Sequence, residues 1–284
     1  MLYTSADEYL NAPQKSIAVF GMSGLGKTYL STMLMNDGNW FNYNVDYRIG
    51  TRYMSEPILD NFKREAMKSR LLKELLLSDS VSIASNITMD NLAPLSTYLG
   101  KPGDRNKGGI SFSKYVKRQK EHLKAETNAM EDIKYFRKRA KAIYDYDDFI
   151  ADCSGSLCEI VSEDIKTCKV MTNLSEVALP VWIEGPESHK DELVRRFKKA
   201  PKPMYYRPEF LNAKWEEYLE FKKVDANDVD PDDFIVWGYE QLLEDRLPRY
   251  RTMAEHWGIT VSADEVKATD KPETFNKLIA SKLG

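Results

Sequence analysis

The stretch Ser16–Met35 constrains this chain most, because it passes from one hydrophobic period to another around a glycine-rich turn. SIAVF, Ser16 to Phe20, reads as a short buried strand, and Leu30, Met33 and Leu34 then recur at helical spacing. The helix should stop near Asn36–Asn39, where NDGN is a turn signal. Between strand and helix stand Gly21, four further residues, then Gly26, Lys27 and Thr28. A strand turning directly into a helix is the opening unit of an α/β fold.

That spacing matches the Walker A phosphate loop at every defined position. Glycines serve such a loop because backbone N–H groups must turn inward and approach phosphate oxygens closely, which a Cβ would obstruct. Gly21, Ser23, Gly24, Leu25, Gly26, Lys27, Thr28 and Tyr29 are therefore the candidate nucleotide-binding residues. Lys27 supplies a point charge for the outer phosphates. Thr28 offers a hydroxyl to Mg²⁺, and the helix N-terminus adds partial positive charge. A chance lysine in a glycine-rich turn is the plain alternative; the strand and helix on either side disfavour it.

Further on, Trp40 to Val45 predicts a second strand with Asp46 near its C-terminal end. Ligands of open parallel sheets gather beyond the carboxyl ends of strands, which makes Asp46 a candidate catalytic group. Ser55 to about Leu77 reads as a helix, with Pro57 in its first turn. Leu71, Leu72, Leu75 and Leu76 form one side of it, as on a core-facing helix. Val81–Ile87 fits a short strand or the start of a buried helix equally well. The polar stretch 101–109 reads as an ordinary mobile connection rather than a flap over a ligand. Phe112–Tyr144 predicts a long charged helix. Its Lys117, Arg118, Lys120 and Lys124 alternate with Glu121, Glu126 and Glu131, as on a solvated face. The acids would repel phosphate, which disfavours a nucleic-acid stripe.

Phe149, Ile150 and Ala151 read as a buried strand ending in Asp152, followed by the turn Ser154–Gly155–Ser156. An apolar strand ending in an acid has the form of a Walker B element, whose carboxylate holds Mg²⁺ directly or through water. The strand 179–185 ends similarly, in Glu184, but the small residues after Asp152 leave more room for a ligand. After Pro186 a helix carries Arg195, Arg196, Lys198 and Lys199 and runs into APKPMYYRP. The segment 186–208 thus reads either as a mobile cationic lid or as a solvated basic helix end. Helices over 209–222 and 231–255, a last strand at Gly258–Val261 and a helix around Phe275, Leu278 and Ile279 complete the pattern. No internal repeat is evident.

The fold expected is α/β, of the P-loop NTPase type: a mainly parallel sheet of about five strands flanked by helices. A single domain would span 1–284, with a helical insertion over 55–135. The 41 basic and 44 acidic residues nearly cancel, which argues against nucleic acid or an anionic membrane as partner. No apolar run approaches the roughly 18 residues of a membrane span. The segment Met1–Lys15 is acidic and polar where a signal peptide would be basic and then apolar, so the expected location is cytoplasmic. Cys153, Cys158 and Cys168 lack the paired spacing of a zinc site and read as reduced thiols.

Several of these pieces fall into a known order. Asn44, Val45 and Asp46, followed by Ile49 and Gly50, stand where the compact kinases carry an Asp-x-Asp element. Phe136 and Arg137 resemble a Phe-Arg pair, and Ser154, Gly155 and Ser156 fall at the place of a glycine triplet. Glu184, Arg195, Arg196, Arg207 and Pro208 resemble the lid region. On these residues the chain resembles the P-loop small-molecule kinases of the shikimate and gluconate kinase type. It departs from them in having Asn44 for the first aspartate, serines in the triplet, and an insertion without counterpart.

The resemblance implies Mg-ATP-dependent phosphotransfer to a hydroxyl of a small polar or anionic metabolite. Lys27 and the loop amides would hold the outer phosphates, and Thr28 and Asp152 the Mg²⁺. Asp46 would accept or orient the acceptor proton, Arg137 with Ser154 and Gly155 would bind substrate, and Arg195 or Arg196 would stabilise the transferring group. The phosphate loop is equally compatible with an ATPase switch whose helical insertion docks a protein partner. No Asn-Lys-x-Asp guanine motif is found, which mildly favours ATP over GTP.

Overall fold

The apolar runs become five strands: β1 (Ser16–Phe20), β2 (Trp40–Asn44), β3 (Asp148–Asp152), β4 (Leu179–Glu184) and β5 (Ile259–Ser262). In the computed structural model, which describes residues 1–284 apart from the side chain of Asp37, they form one sheet ordered β2-β3-β1-β4-β5. Every neighbouring pair is parallel. β1 lies in the middle and all its residues are buried, as expected of a parallel strand covered on both faces.

The helices in the first half of the chain are α1 (Ala6–Leu10), α2 (Lys27–Asp37), α3 (Val45–Arg48), α4 (Ser55–Ala66), α5 (Arg70–Leu77) and α6 (Ala93–Leu99). Then come α7 (Phe112–Tyr144), α8 (Leu157–Ile160), α9 (Lys169–Val177) and α10 (His189–Lys199). The last are α11 (Pro208–Lys222), α12 (Pro231–Trp257), α13 (Ala263–Lys267) and α14 (Pro272–Leu283). The chain packs as two compact units. The first takes Met1–Val45, Glu126–Lys199 and Tyr239–Gly284, and the second takes Asp46–Ala125 and Ala200–Gly238. α7 and α12 each contribute residues to both.

The first unit holds the sheet. Tyr43 on β2 packs against Phe136 on α7 and Phe149 on β3, with ring centroids 4.9 and 6.3 Å apart. Trp40 meets Phe275 of α14 edge-on, and Phe20 at the end of β1 lies 6.0 Å from Tyr250 of α12. These aromatic contacts fasten helices to both faces of the sheet, and each ring buries a large apolar area.

In the second unit the charged helix is not simply a solvated face. Tyr115, Arg118, Gln119 and His122 are all buried. Gln119 donates to the Met204 carbonyl at 3.0 Å and accepts from the Tyr206 amide at 2.9 Å. Arg118 donates to the Tyr98 carbonyl and to Asn61.

The leucine stripe also departs from expectation. Residues 55–77 form two helices, not one, and α5 buries none of its residues: Leu71 is 65% and Leu72 41% exposed, and Leu75 and Leu76 are half-buried. Periodicity marks an amphipathic face, but the break at Met67–Ser69 leaves this one turned to solvent. Residues 81–87 form neither a strand nor a helix. The stretch 101–109 is tied down, with the Asp104 amide donating to the Val229 carbonyl at 2.8 Å. Among the described residues no helix is long and apolar enough to cross a membrane, and the three cysteines are free and buried.

Candidate functional site

The site is built where β1 hands over to α2, within the first unit. Gly21 leaves the strand at φ 137°, and a Cβ there would lie 2.7 Å from the Ile183 carbonyl on β4, so only glycine fits. Gly26, at φ 96°, begins α2 in the left-handed region, and no side chain caps the helix. The N–H groups of its first turn are thereby left to meet an anion. Lys27 is buried, and its ammonium folds back to donate to the Gly21 and Met22 carbonyls at 2.8 and 2.9 Å.

Thr28, one residue into the helix, donates its hydroxyl to Asp152 Oδ2 at 2.9 Å. Asp152 ends β3, the neighbour of β1, and is 4% exposed. Burial raises its pKa, against the opposing pull of the Lys27 charge and the Thr28 hydroxyl. Asn44 ends β2 level with Asp152 and reaches the same oxygen at 3.4 Å. An aspartate at position 44 would set two carboxylates side by side, whereas the amide supplies a donor.

The turn after β3 runs beside the loop: a Cβ on Gly155 would stand 3.8 Å from both the Ser23 amide nitrogen and the Gly21 carbonyl. Two helices hold that turn. Glu126 of α7 is fully buried and accepts hydrogen bonds from the hydroxyls of Ser154 and Ser156, the latter at 2.8 and 3.0 Å. From α12, Arg246 donates to the Gly155 carbonyl at 2.8 Å and pairs with Glu159 at 2.7 Å, both side chains being within 5% of complete burial. Tyr250 donates to the same carbonyl at 2.5 Å. Cys158 lies in this layer with its thiol pushed up to about 12, chiefly by burial, which disfavours the thiolate.

On the far side of the loop stands α10. His189 lies within 3.1 Å of the Ser23 carbonyl, and Arg196 Nη1 is 3.2 Å from where a Gly24 Cβ would be. Arg195 turns outward instead and pairs with Glu192 at 2.5 Å. Leu25 is buried, and Tyr29 is 57% exposed at the rim of a cavity of about 530 Å³. Gly24, Gly26, Pro186, His189 and Val266 also line that cavity.

The structure thus gathers the loop residues, Asp152, Ser154, Gly155 and Arg196. It does not gather all the candidates. Arg137 sits at the opposite end of the sheet, where its charge acts on Tyr3; the Tyr3 hydroxyl accepts from the Ser16 amide at the start of β1. Five residues of strand, about 3.3 Å each, separate that end from the loop. Asp46 is half-buried on α3, in the second unit.

The sequence pattern sets Glu126 on a solvated face, which its burial overturns, and gives His189 and Arg246 no role. Glu126 had a signal: it shares the helical stripe of Ala129, Met130 and Ile133, and an acid within such a stripe needs buried partners. Arg246 likewise follows Leu242 and Leu243 and precedes Tyr250 on a buried face. Among the described residues there is no cluster of three His, Cys, Asp or Glu side chains that could hold a metal by itself.

Fold and site together define an α/β protein with a five-stranded parallel sheet, whose central strand enters its helix through a glycine-rich, lysine-bearing turn. No protein-family model matches the chain, and a search of the curated proteins finds nothing similar to it.

Proposed function

We propose that this chain is a P-loop phosphotransferase of the shikimate and gluconate kinase type, moving a phosphoryl group from Mg-ATP to a hydroxyl of a small polar or anionic metabolite. The observation that carries the reading is the hydrogen bond from Thr28, in the glycine-rich turn, to Asp152 at the tip of the adjacent strand. A hydroxyl and a carboxylate held together beside uncapped helix N–H groups are a fitting donor set for Mg²⁺, which takes oxygen ligands and keeps several waters.

The residues fit the nucleotide as well. Gly21 and Gly26 hold conformations that let main-chain amides face a phosphate, and Lys27 would exchange two carbonyls for phosphate oxygens. Bound Mg²⁺ would supply charge neutralisation at the phosphates. The nucleoside would occupy the cavity beside Gly24 and Gly26, whose volume lies in the usual range for small-molecule sites. Arg196, beside Gly24, is the guanidinium proposed for the transferring group. Asp46 is retained for the acceptor proton. Arg195 and Arg137 are not, since one turns outward and the other lies at the opposite sheet end.

The test is calorimetric titration with Mg²⁺ and a non-hydrolysable ATP analogue, followed by a screen of metabolites for phosphorylation. Binding that Lys27→Ala abolishes supports the reading, and one phosphorylated compound class establishes the reaction. Absence of nucleotide binding by the unmodified protein ends it.

One observation favours a second reading, a P-loop ATPase acting as a nucleotide-dependent switch with a protein partner. Leu71, Leu72 and Leu77 of α5 lie exposed on the helical second unit, where such a partner would gain apolar area. Slow ATP hydrolysis, with no metabolite accelerating ADP formation, would select it.

A further inference from the structure

We infer that the stretch Tyr239–Tyr250 of α12 is a brace that sets where Arg196 and the Gly155 turn stand beside the loop, with Tyr239 as the positioning residue for Arg196. The inference rests on the reading of the loop as a phosphate site. Phe197, the next residue of α10, stacks on Tyr239 with centroids 3.9 Å apart and ring planes 16° from parallel. Lys198 pairs with Glu240 at 2.7 Å, and Lys190, near the start of α10, pairs with Glu244 at 2.6 Å.

These contacts are unequal. Lys198 is 55% and Glu244 62% exposed, and ion pairs so open to water contribute little. Tyr239 is 6% exposed, so the ring stack, together with the buried Leu193, anchors α10 more than these ion pairs do. Along the same helix, Arg246 and Tyr250 donate to the Gly155 carbonyl, and Arg249 donates to the Val161 carbonyl at 2.6 Å. One continuous helix therefore touches both walls of the loop.

The consequence is that α10 is a seated wall and not a free lid. Arg196 is exposed, and a long exposed side chain keeps its aim only when its backbone is fixed. Tyr239 acts on it through Phe197.

The experiment compares Tyr239→Ala, Tyr239→Phe and Phe197→Ala, measured first without ligand. In both alanine variants the α10 amides should exchange with solvent about tenfold faster, or more, while β1 and α2 keep their protection. Tyr239→Phe, which keeps the stack, should behave as the unmodified protein. With the magnesium complex of adenylyl imidodiphosphate as probe, Tyr239→Ala and Arg196→Ala should each weaken binding about tenfold, and the double variant no further, because both remove one interaction. Unchanged α10 exchange in Phe197→Ala, or full additivity of Tyr239→Ala and Arg196→Ala, overturns the brace. Should the unmodified protein bind no magnesium nucleotide, the phosphate reading falls, while the exchange measurement still decides the brace. If Tyr239→Ala does not fold, Phe197→Ala tests the same stack from its more exposed side.

Discussion

The Thr28 hydroxyl and the Asp152 carboxylate meet across 2.9 Å, joining the first turn of α2 to the tip of β3. That bond ties the glycine-rich turn directly to an acidic group. Because burial holds the Asp152 pKa above the ordinary carboxylate range, folding disfavours its charged form. The sign is then the reverse of the usual carboxylate case. Asp152 contributes more to stability as pH falls through its raised folded pKa, and loses that contribution as pH rises.

Asp152→Asn keeps the shape and the acceptor for Thr28 while removing a poorly solvated charge. Its melting temperature at neutral pH should equal or exceed that of the unmodified protein, yet magnesium-dependent nucleotide binding should fall by about tenfold or more. Calorimetry with and without Mg²⁺ checks both halves. Intact magnesium dependence would remove Asp152 from the proposed metal site.

Lys27→Ala removes the only positive charge within the turn, and nucleotide turnover should be lost while the fold is retained. Circular dichroism and ADP release measured together separate the two effects.

On the proposed reaction, Asp46→Asn should lower phosphoryl transfer more than it lowers ATP affinity, because that proposal gives the residue the acceptor and not the phosphates. Unchanged transfer, once an acceptor is in hand, would refute that assignment.

Arg246→Ala should destabilise the sheet-bearing unit by about 3–5 kcal/mol, since Glu159 would be left buried without its cation. Lys198→Ala breaks a pair of similar length but open to water, and should cost less than about 1 kcal/mol. Chemical denaturation of the two variants side by side tests whether burial, and not distance, sets the difference.

Asp230 precedes α12, and its carboxylate accepts from the Asp232 and Asp233 amides at 3.0 and 3.2 Å. Lys107 and these amides hold its pKa below the ordinary value of 3.8. A depressed carboxylate contributes stability that is present above its unfolded pKa and lost as pH falls through the folded one. Asp230→Ala should therefore cost about 1 kcal/mol at neutral pH and progressively less on acidification below the ordinary carboxylate range. Denaturant midpoints from neutral to strongly acidic pH measure it; a cost independent of pH would show that the cap charge contributes nothing.

Local signals carried much of this protein. The strand Ser16–Phe20, the glycines, the helix from Lys27 and the strand ending at Asp152 were all legible, because period and backbone chirality act over a few neighbouring residues. The boundaries of α7, α11 and α12 were legible for the same reason. What lay beyond reach depends on which distant residue covers a face. Leu71 and Leu72 carry the pattern of a core helix and are exposed, while Glu126 looks solvated and is fully buried. Arg137 and Arg196 are alike in sequence, yet one stands at the far end of the sheet and the other beside Gly24. The residues of the turn were set by the chain itself. Where Asp152, Gly155, α10 and α12 stand around that turn was decided by strand order and long-range packing, since parallel neighbours such as β1 and β3 are joined only through distant stretches of chain.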